Sequence, residues 1–237
     1  MLGTLAPDRA IASDSFKPLI EIWRTLKESP DALKNWYEER WRRMIGGDKV
    51  EGYEEIKASY NANPNAADLL FLSRSCYGGV VRFRKADGYM STPCGVHKPM
   101  SPASFARRVD EWHLRTLGTE FYLMEYEEAI NMAKPGDLVY CDPPYTYSQS
   151  ILYGAQSFSL KHLFTLIVEC KARGVYVALS IDGTKRSGKL ICDLPIPEGL
   201  FEREAFVDVG RSMLKRFKME GKTMETELVS DRLLLTY

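Results

Sequence analysis

DLVYCDPPY, residues 137–145, is an apolar strand run stopped by two prolines. Leu138 to Cys141 suit a short buried strand, and Pro135-Gly136 ahead of them reads as a turn. Two consecutive prolines cannot extend a central strand, since neither has an N–H to give to a ladder. They fix the backbone and hold the side chains on either side. In open α/β sheets ligands bind outside the carboxyl ends of the strands, and Asp142 to Tyr145 fall at such an end. Asp142 offers a carboxylate, Pro143 a carbonyl with no N–H of its own, and Tyr145 a flat ring. That set fits a planar ring carrying an exocyclic NH2. The ring stacks on Tyr145, and its two N–H groups bond Asp142 and a backbone carbonyl. The plainer alternative is a Pro-Pro turn ending a strand, with Asp142 capping a helix.

Outward from this stretch, strands and helices alternate. Toward the C-terminus, 159–173 reads as an amphipathic helix, VYVALSI (175–181) as a fully apolar strand, and 205–209 and 231–237 as two more strands. Toward the N-terminus, 126–133 reads as a short helix, TEFYLM (119–124) as a strand and 102–115 as a helix. RAIAS (9–13) reads as a buried strand ending at Asp14. Residues 15–28 place Phe16, Leu19, Ile20, Trp23 and Leu26 at helical spacing, and Pro30 stops that helix. A second helix is expected from Asp31, as N-cap, to about Met44, with Leu33, Trp36, Tyr37 and Trp41 on its apolar side. Further helices are expected over 51–60 and 66–74, separated by the turn NANPN (61–65). Residues 77–90 suggest hairpins around Gly78-Gly79 and Asp87-Gly88. The fold class is α/β, with a mostly parallel sheet covered by helices on both faces.

The 237 residues are 45% hydrophobic and 27% charged, which suits a folded globular chain and argues against global disorder. No apolar run is long enough to cross a bilayer, and the N-terminus lacks a signal-peptide layout. Cysteines 76, 94, 141, 170 and 192 form no CxxC pair, and with three histidines no zinc or other metal site is expected. Reduced thiols in a cytoplasmic protein are the default expectation. Net charge is zero, yet Ser73–Val109 holds seven basic residues (Arg74, Arg82, Arg84, Lys85, Lys98, Arg107, Arg108) against Asp87 alone. A local basic face with interleaved aromatics is what phosphate binding needs, the alternative being a solvated loop.

With these residues in view, the sequence resembles the adenine-N6 DNA methyltransferases of the Dam type, the D12 class. Asp142-Pro143-Pro144-Tyr145 matches that family's catalytic motif. The stretch IASD followed by a helix resembles its acidic motif, whose carboxylate holds the ribose hydroxyls of S-adenosylmethionine; that residue is Asp14 here. FLSRSCYGGVVRF resembles its DNA-reading hairpin, LNRxGYNGLxRY. FYLMEYEEAI resembles the stretch where two residues, here Glu125 and Tyr126, border the cofactor adenine. VYVALSID and the terminal GRSM…DRLLLTY resemble its last strands.

The resemblance implies a Rossmann-like methyltransferase sheet, S-adenosylmethionine as cofactor with no metal, double-stranded DNA as partner and no membrane. It implies catalysis by Asp142, Pro143, Pro144 and Tyr145, and cofactor binding by Asp14, Phe16, Glu125, Tyr126 and Asp142. It implies DNA binding by Arg74, Tyr77, Gly78, Val80, Arg82, Arg84 and Lys85. Tyr77-Gly78-Gly79-Val80 would form the hairpin tip, with Tyr77 wedged against the base stack. Arg82 would read a guanine edge and Arg84 with Lys85 would hold phosphates. Gly78 stands where the family usually has Asn. Cys141, beside the motif, reads as a strand residue and not a nucleophile, because attack by an amine needs no covalent enzyme intermediate.

The expected organisation is a catalytic domain over 1–28 and 103–237 with a target-recognition insertion over 29–102. One departure is large: the family's first strand and its Phe-x-Gly-x-Gly loop have no counterpart in residues 1–237. That strand would sit at the sheet centre, between the Asp14 and Asp142 strands, and its absence leaves unpaired backbone groups. A fragment, a misassigned start codon or one half of a split enzyme is expected, with a second polypeptide then supplying the loop. Two other functions stand as alternatives: a DNA-binding remnant, and a methyltransferase of RNA adenine or protein amides, which typically carries Asn before Pro-Pro-Tyr.

Overall fold

The computed structural model describes residues 2–144, 158–185, 190–211 and 228–237. They form two compact units that divide between Ala129 and Ile130.

The first unit begins with α1 (Leu2–Leu5), β1 (Ala10–Asp14) and α2 (Lys17–Glu28). It continues through α3 (Pro30–Ile45), α4 (Lys49–Ala62), α5 (Ala66–Ser75), α6 (Pro102–Thr116) and β2 (Thr119–Leu123). Strands β1 and β2 pair in parallel, from Ala10 with Thr119 to Asp14 with Leu123. Helix α2 closes the outer side of β2. Trp23 stacks on Phe121 with centroids 5.5 Å apart. Arg24 Nε donates to the Phe121 carbonyl and Lys27 Nζ to the Thr119 carbonyl, both at 2.7 Å.

Local chemistry sets the helix boundaries. Pro30 does not merely stop α2; it is the first residue of α3. Ser29 ends α2 by donating its N–H to the Thr25 carbonyl and serves as N-cap of α3, so Asp31 falls in the first turn and not at the cap. Proline suits that place, where its missing N–H would have had no helical partner. Helix α4 starts earlier than expected because Asp48 Oδ1 accepts from the N–H groups of Val50 and Glu51 at 2.9 Å. Asn65 caps α5 by accepting from Asp68 N at 2.8 Å.

These helices share one core. Tyr37, Met44, Tyr53, Ile56, Phe71, Leu72 and Met90 are fully buried, joined by Leu26 of α2 and by Phe105 and Val109 of α6. Tyr37 stacks on Phe105 at 3.9 Å, and its hydroxyl donates to the Met100 carbonyl at 2.8 Å. Burial pushes the Tyr37 hydroxyl up to about 12, so it stays a donor. Asp68, 2% exposed, takes Arg40 Nε at 2.6 Å on one oxygen. Its other oxygen takes Ser59 Oγ and Asn65 Nδ2 at 2.8 Å each.

Of the two expected reversals, the first differs: Tyr77–Gly79 is a single 3-10 turn following α5, with Gly78 at φ 66°, and not a hairpin tip. The second is where it was expected, around Asp87-Gly88, with Arg84 N donating to the Tyr89 carbonyl and Ser91 N to the Arg82 carbonyl, both at 2.9 Å. Pairing is limited to isolated bridges, Phe83 with Met90 and Cys76 with Cys94. Loop side chains turn inward to the helices instead of extending a ladder: Phe83 meets Phe16 edge-on at 5.7 Å, and Met90 N donates to Asn61 Oδ1 at 2.7 Å.

Helix α7 (Tyr126–Asn131) spans the division between the units. The second unit holds β3 (Leu138–Cys141), α8 (Leu160–Ala172), β4 (Tyr176–Lys185), β5 (Leu190–Ile191), β6 (Arg203–Arg211) and β7 (Leu228–Leu235). Strand order is β3-β4-β7-β6, with β5 on the end of β4. Among the described residues only β3–β4 is parallel here; β4–β7, β6–β7 and β4–β5 are antiparallel. The sheet is therefore mixed and not mostly parallel, because β7 follows β6 and pairs straight back on it. Val177, Leu179 and Ile181 of β4 are buried, as are Leu163, Leu166, Ile167 and Cys170 of α8. β3 was expected to be buried, yet Leu138 and Tyr140 are 48% and 42% exposed. The cause is position: among the described residues β3 pairs with β4 alone and forms a sheet edge, as β1 does beside β2.

Candidate active site and DNA interface

Strand β3 delivers Asp142 to its carboxyl end. Asp142 is exposed, Pro143 is buried and Pro144 half-buried. A rigid, buried proline thus anchors an exposed carboxylate at the place where α/β sheets bind ligands. Tyr145, the expected stacking ring, lies outside the described residues, as does the Ser212-Met213 part of the terminal match. Burial pushes the Cys141 thiol up to about 12, with Cys170 and Asp142 adding to it. It stays protonated and is no nucleophile. Burial also raises the Tyr140 hydroxyl.

In the first unit the structure gathers Asp14, Phe16, Glu125 and Tyr126 at one end of the β1–β2 pair. Asp14 ends β1 opposite Leu123, and its carbonyl accepts from Met124 N at 3.3 Å, one residue before Glu125. Asp14 Oδ1 is fixed by Phe16 N at 2.7 Å. Glu125 is exposed, while Tyr126 is half-buried and its hydroxyl is raised by burial and by the carboxylates of Glu127 and Glu125. This leaves a half-exposed carboxylate at the carboxyl end of a parallel strand, with an exposed acid and a phenol at the exit of the next strand.

The basic loop presents Arg74, Gly78, Arg84 and Lys85 as exposed residues, with Tyr77 and Arg82 half-buried. Val80 was expected at the tip but is 6% exposed, and its carbonyl accepts from Thr92 Oγ1 at 2.9 Å. The same hydroxyl oxygen accepts from Arg82 N at 2.9 Å, which fixes the backbone of Arg82. Arg84 is held in a fork by Asp87, at 3.0 and 2.5 Å, and lies 4.2 Å over the Tyr89 ring. Arg84 in turn keeps the Asp87 carboxyl below the usual range. Nothing in the sequence marks this partnership, because charge composition alone does not pair Asp87 with Arg84.

Among the described residues no three His, Cys, Asp or Glu side chains cluster to hold a metal ion, and no helix is long and apolar enough to cross a membrane. Residues 2–209 match the family described as D12 class N6 adenine-specific DNA methyltransferase. The chain belongs to that D12 class. Relatives within it are distant. A DNA adenine methylase of Vibrio cholerae is 25% identical over 199 residues, 77% of this chain and 69% of its own length. A DNA N-6-adenine-methyltransferase of Escherichia phage P1 is 28% identical over 196 residues, 77% of this chain and 25% of its own length. A type II methyltransferase, M1.LlaDCHI, of Lactococcus lactis is 23% identical over 209 residues, 81% of this chain and 72% of its own length. The D12 match runs through both compact units and takes in Asp14, the basic loop and Asp142.

Proposed function

We propose that this D12-class chain methylates N6 of a DNA adenine flipped out of the duplex, with S-adenosylmethionine as donor. The observation that carries the reading is Asp142 exposed on a buried Pro143 at the carboxyl end of β3, inside the family match. The target amine is out of reach inside the helix, so the base leaves the stack. Tyr145 stacks on it. The N6 lone pair is delocalised into the ring and attacks poorly. Asp142 and the Pro143 carbonyl accept the two N–H groups, which favours a tetrahedral nitrogen and offsets the positive charge that develops there. When bound, S-adenosylmethionine supplies a methyl group on a sulfonium, already activated. Asp14 holds its ribose hydroxyls, Phe16, Glu125 and Tyr126 border its adenine, and Asp142 adjoins its reactive end.

Residues 29–102 act as the DNA-binding insertion, built on a core shared with α2 and α6. Arg82 reads a base edge. Arg74, Arg84 and Lys85 meet phosphates, and Tyr77 with Gly78 approaches the stack, while buried Val80 supports them from below. The test is an Asp142→Ala variant assayed for methyl transfer to duplex DNA beside a DNA-binding measurement. Loss of transfer with binding kept supports the reading. Retained transfer overturns it.

A further inference from the structure

Cys76 and Cys94 face each other across an antiparallel bridge at the base of the basic loop. The bonds flanking that bridge run from Tyr77 N to the Pro93 carbonyl and from Gly95 N to the Ser75 carbonyl, both at 2.8 Å. This pattern makes the cysteines a non-hydrogen-bonded pair, the type in which Cα atoms approach to about 4.5 Å with side chains on one face. A disulfide spans Cα separations of about 4.4–6.8 Å, so the backbone already has the required approach. Gly95 keeps it: a Cβ there would lie 2.7 Å from the Ser75 oxygen and 2.9 Å from the Cys76 oxygen. Any other residue would push the two segments apart.

Both thiols are free, and their present bonds are weak. Cys76 Sγ is 3.9 Å from the Ser73 carbonyl and Cys94 Sγ is 3.5 Å from the Gly95 carbonyl. With the backbone so placed, rotation about χ1 would turn the sulfurs toward each other. The segment between them, Tyr77 to Pro93, carries Tyr77, Gly78, Arg82, Arg84 and Lys85.

We propose that Cys76 and Cys94 form a cross-strand disulfide that ties the base of this loop, with a small-molecule disulfide as the oxidant. Cys94 is half-buried and Cys76 only 5% exposed, so Cys94 reacts first. Its thiolate attacks one sulfur of the oxidant, forming a mixed disulfide and releasing one thiolate. Cys76, deprotonated, then attacks the Cys94 sulfur and releases the second. Two protein thiols lose two protons and two electrons, and the oxidant is reduced to two thiols. Burial raises both cysteine thiols above their ordinary range. The bond therefore forms slowly, as a staple and not as a rapid sensor. The proposal is independent of the methylation reading.

The test incubates the full chain with excess oxidised glutathione, alkylates the remaining thiols and digests with trypsin without reduction. Peptides 75–82 and 86–107, which carry Cys76 and Cys94, should appear joined at their summed mass less two hydrogens. Two of the five thiols should escape alkylation. Under native conditions, oxidised chain nicked at Arg84 or Lys85 should remain one species until a reductant is added. Cys94→Ser should abolish the joined peptide, and the wild-type peptide map stands by itself if that variant folds poorly. A glutathione adduct on Cys94 with no joined peptide, a bond from either cysteine to Cys141, Cys170 or Cys192, or disulfide-linked dimers alone would overturn the proposal.

Discussion

Asp142 and Arg84 are both exposed charges, yet they differ in what holds them. Asp142 stands on a buried proline at a strand end, whereas Arg84 is clasped by Asp87, three residues along the same turn. Asp142→Ala should cut methyl transfer by at least about 100-fold, the scale of losing one preorganised electrostatic group. Filter binding should show DNA affinity within about threefold of wild type, because the carboxylate meets the amine and not the duplex. In the proposed reaction the ring face of Tyr145 would be its working part. Tyr145→Ala should weaken capture of the flipped base by about 1–3 kcal/mol, and Tyr145→Phe should be mild; equal damage in a fluorescence base-flipping assay would rule out stacking. In the loop, Arg82→Ala should relax one position of the recognition site at a cost of about 1–3 kcal/mol. Asp87→Asn works the other way. It releases the Arg84 fork, so affinity for every duplex should rise and the salt dependence steepen. An unchanged salt slope would show that Arg84 does not meet phosphate.

At the scale of elements, α3, α4 and α5 depend on a carboxylate that the sequence did not single out. Asp68 joins Arg40 of α3, Ser59 of α4 and the cap residue Asn65. Asp68→Ala takes the 2.6 Å partner from the Arg40 guanidinium, which keeps Glu39 and the Trp36 carbonyl, and should cost about 1.5–3 kcal/mol in a urea melt. Asp48→Ala, which removes only the α4 cap, should cost about 1 kcal/mol. If the two variants melted alike, Asp68 would be a surface charge in effect. Most element types were legible because caps and apolar spacing are local: Ser101 and Ser159 accept from the N–H groups three residues on, as such residues do at helix starts. What was not legible depends on tertiary partners. An apolar run such as Leu138–Cys141 reads the same whether it lies inside a sheet or at its edge. Of the two glycine turns, Asp87-Gly88 reverses the chain as its residues suggest, whereas Gly78-Gly79 carries hairpin residues yet forms a 3-10 turn, because its flanks pack on the helices and not on each other. The bridge between Cys76 and Cys94 could not be read at all, since 17 residues lie between them and only the fold brings them together.

Across the whole molecule, the residues proposed to hold the cofactor, Asp14, Phe16, Glu125, Tyr126 and Asp142, would serve its adenosine end and its reacting methyl. The methionine end carries a carboxylate and an amine, which need backbone donors and acceptors of the kind a glycine-rich loop presents. No Phe-x-Gly-x-Gly stretch occurs in residues 1–237, and Gly183-Thr184 belongs to β4, where Gly183 is required by close approach of the Ser230 carbonyl. This 237-residue chain by itself should therefore bind S-adenosylmethionine weakly, with a dissociation constant in the range of about 1 mM, near −4 kcal/mol. Titration calorimetry with the cofactor and with adenosine separates the contributions. Adenosine should bind nearly as well as the whole cofactor, and Asp14→Ala should remove both heats. Tight one-to-one binding of S-adenosylmethionine, far above that of adenosine, would mean that other residues of this chain hold the methionine end and that the cofactor site has been placed on too few groups.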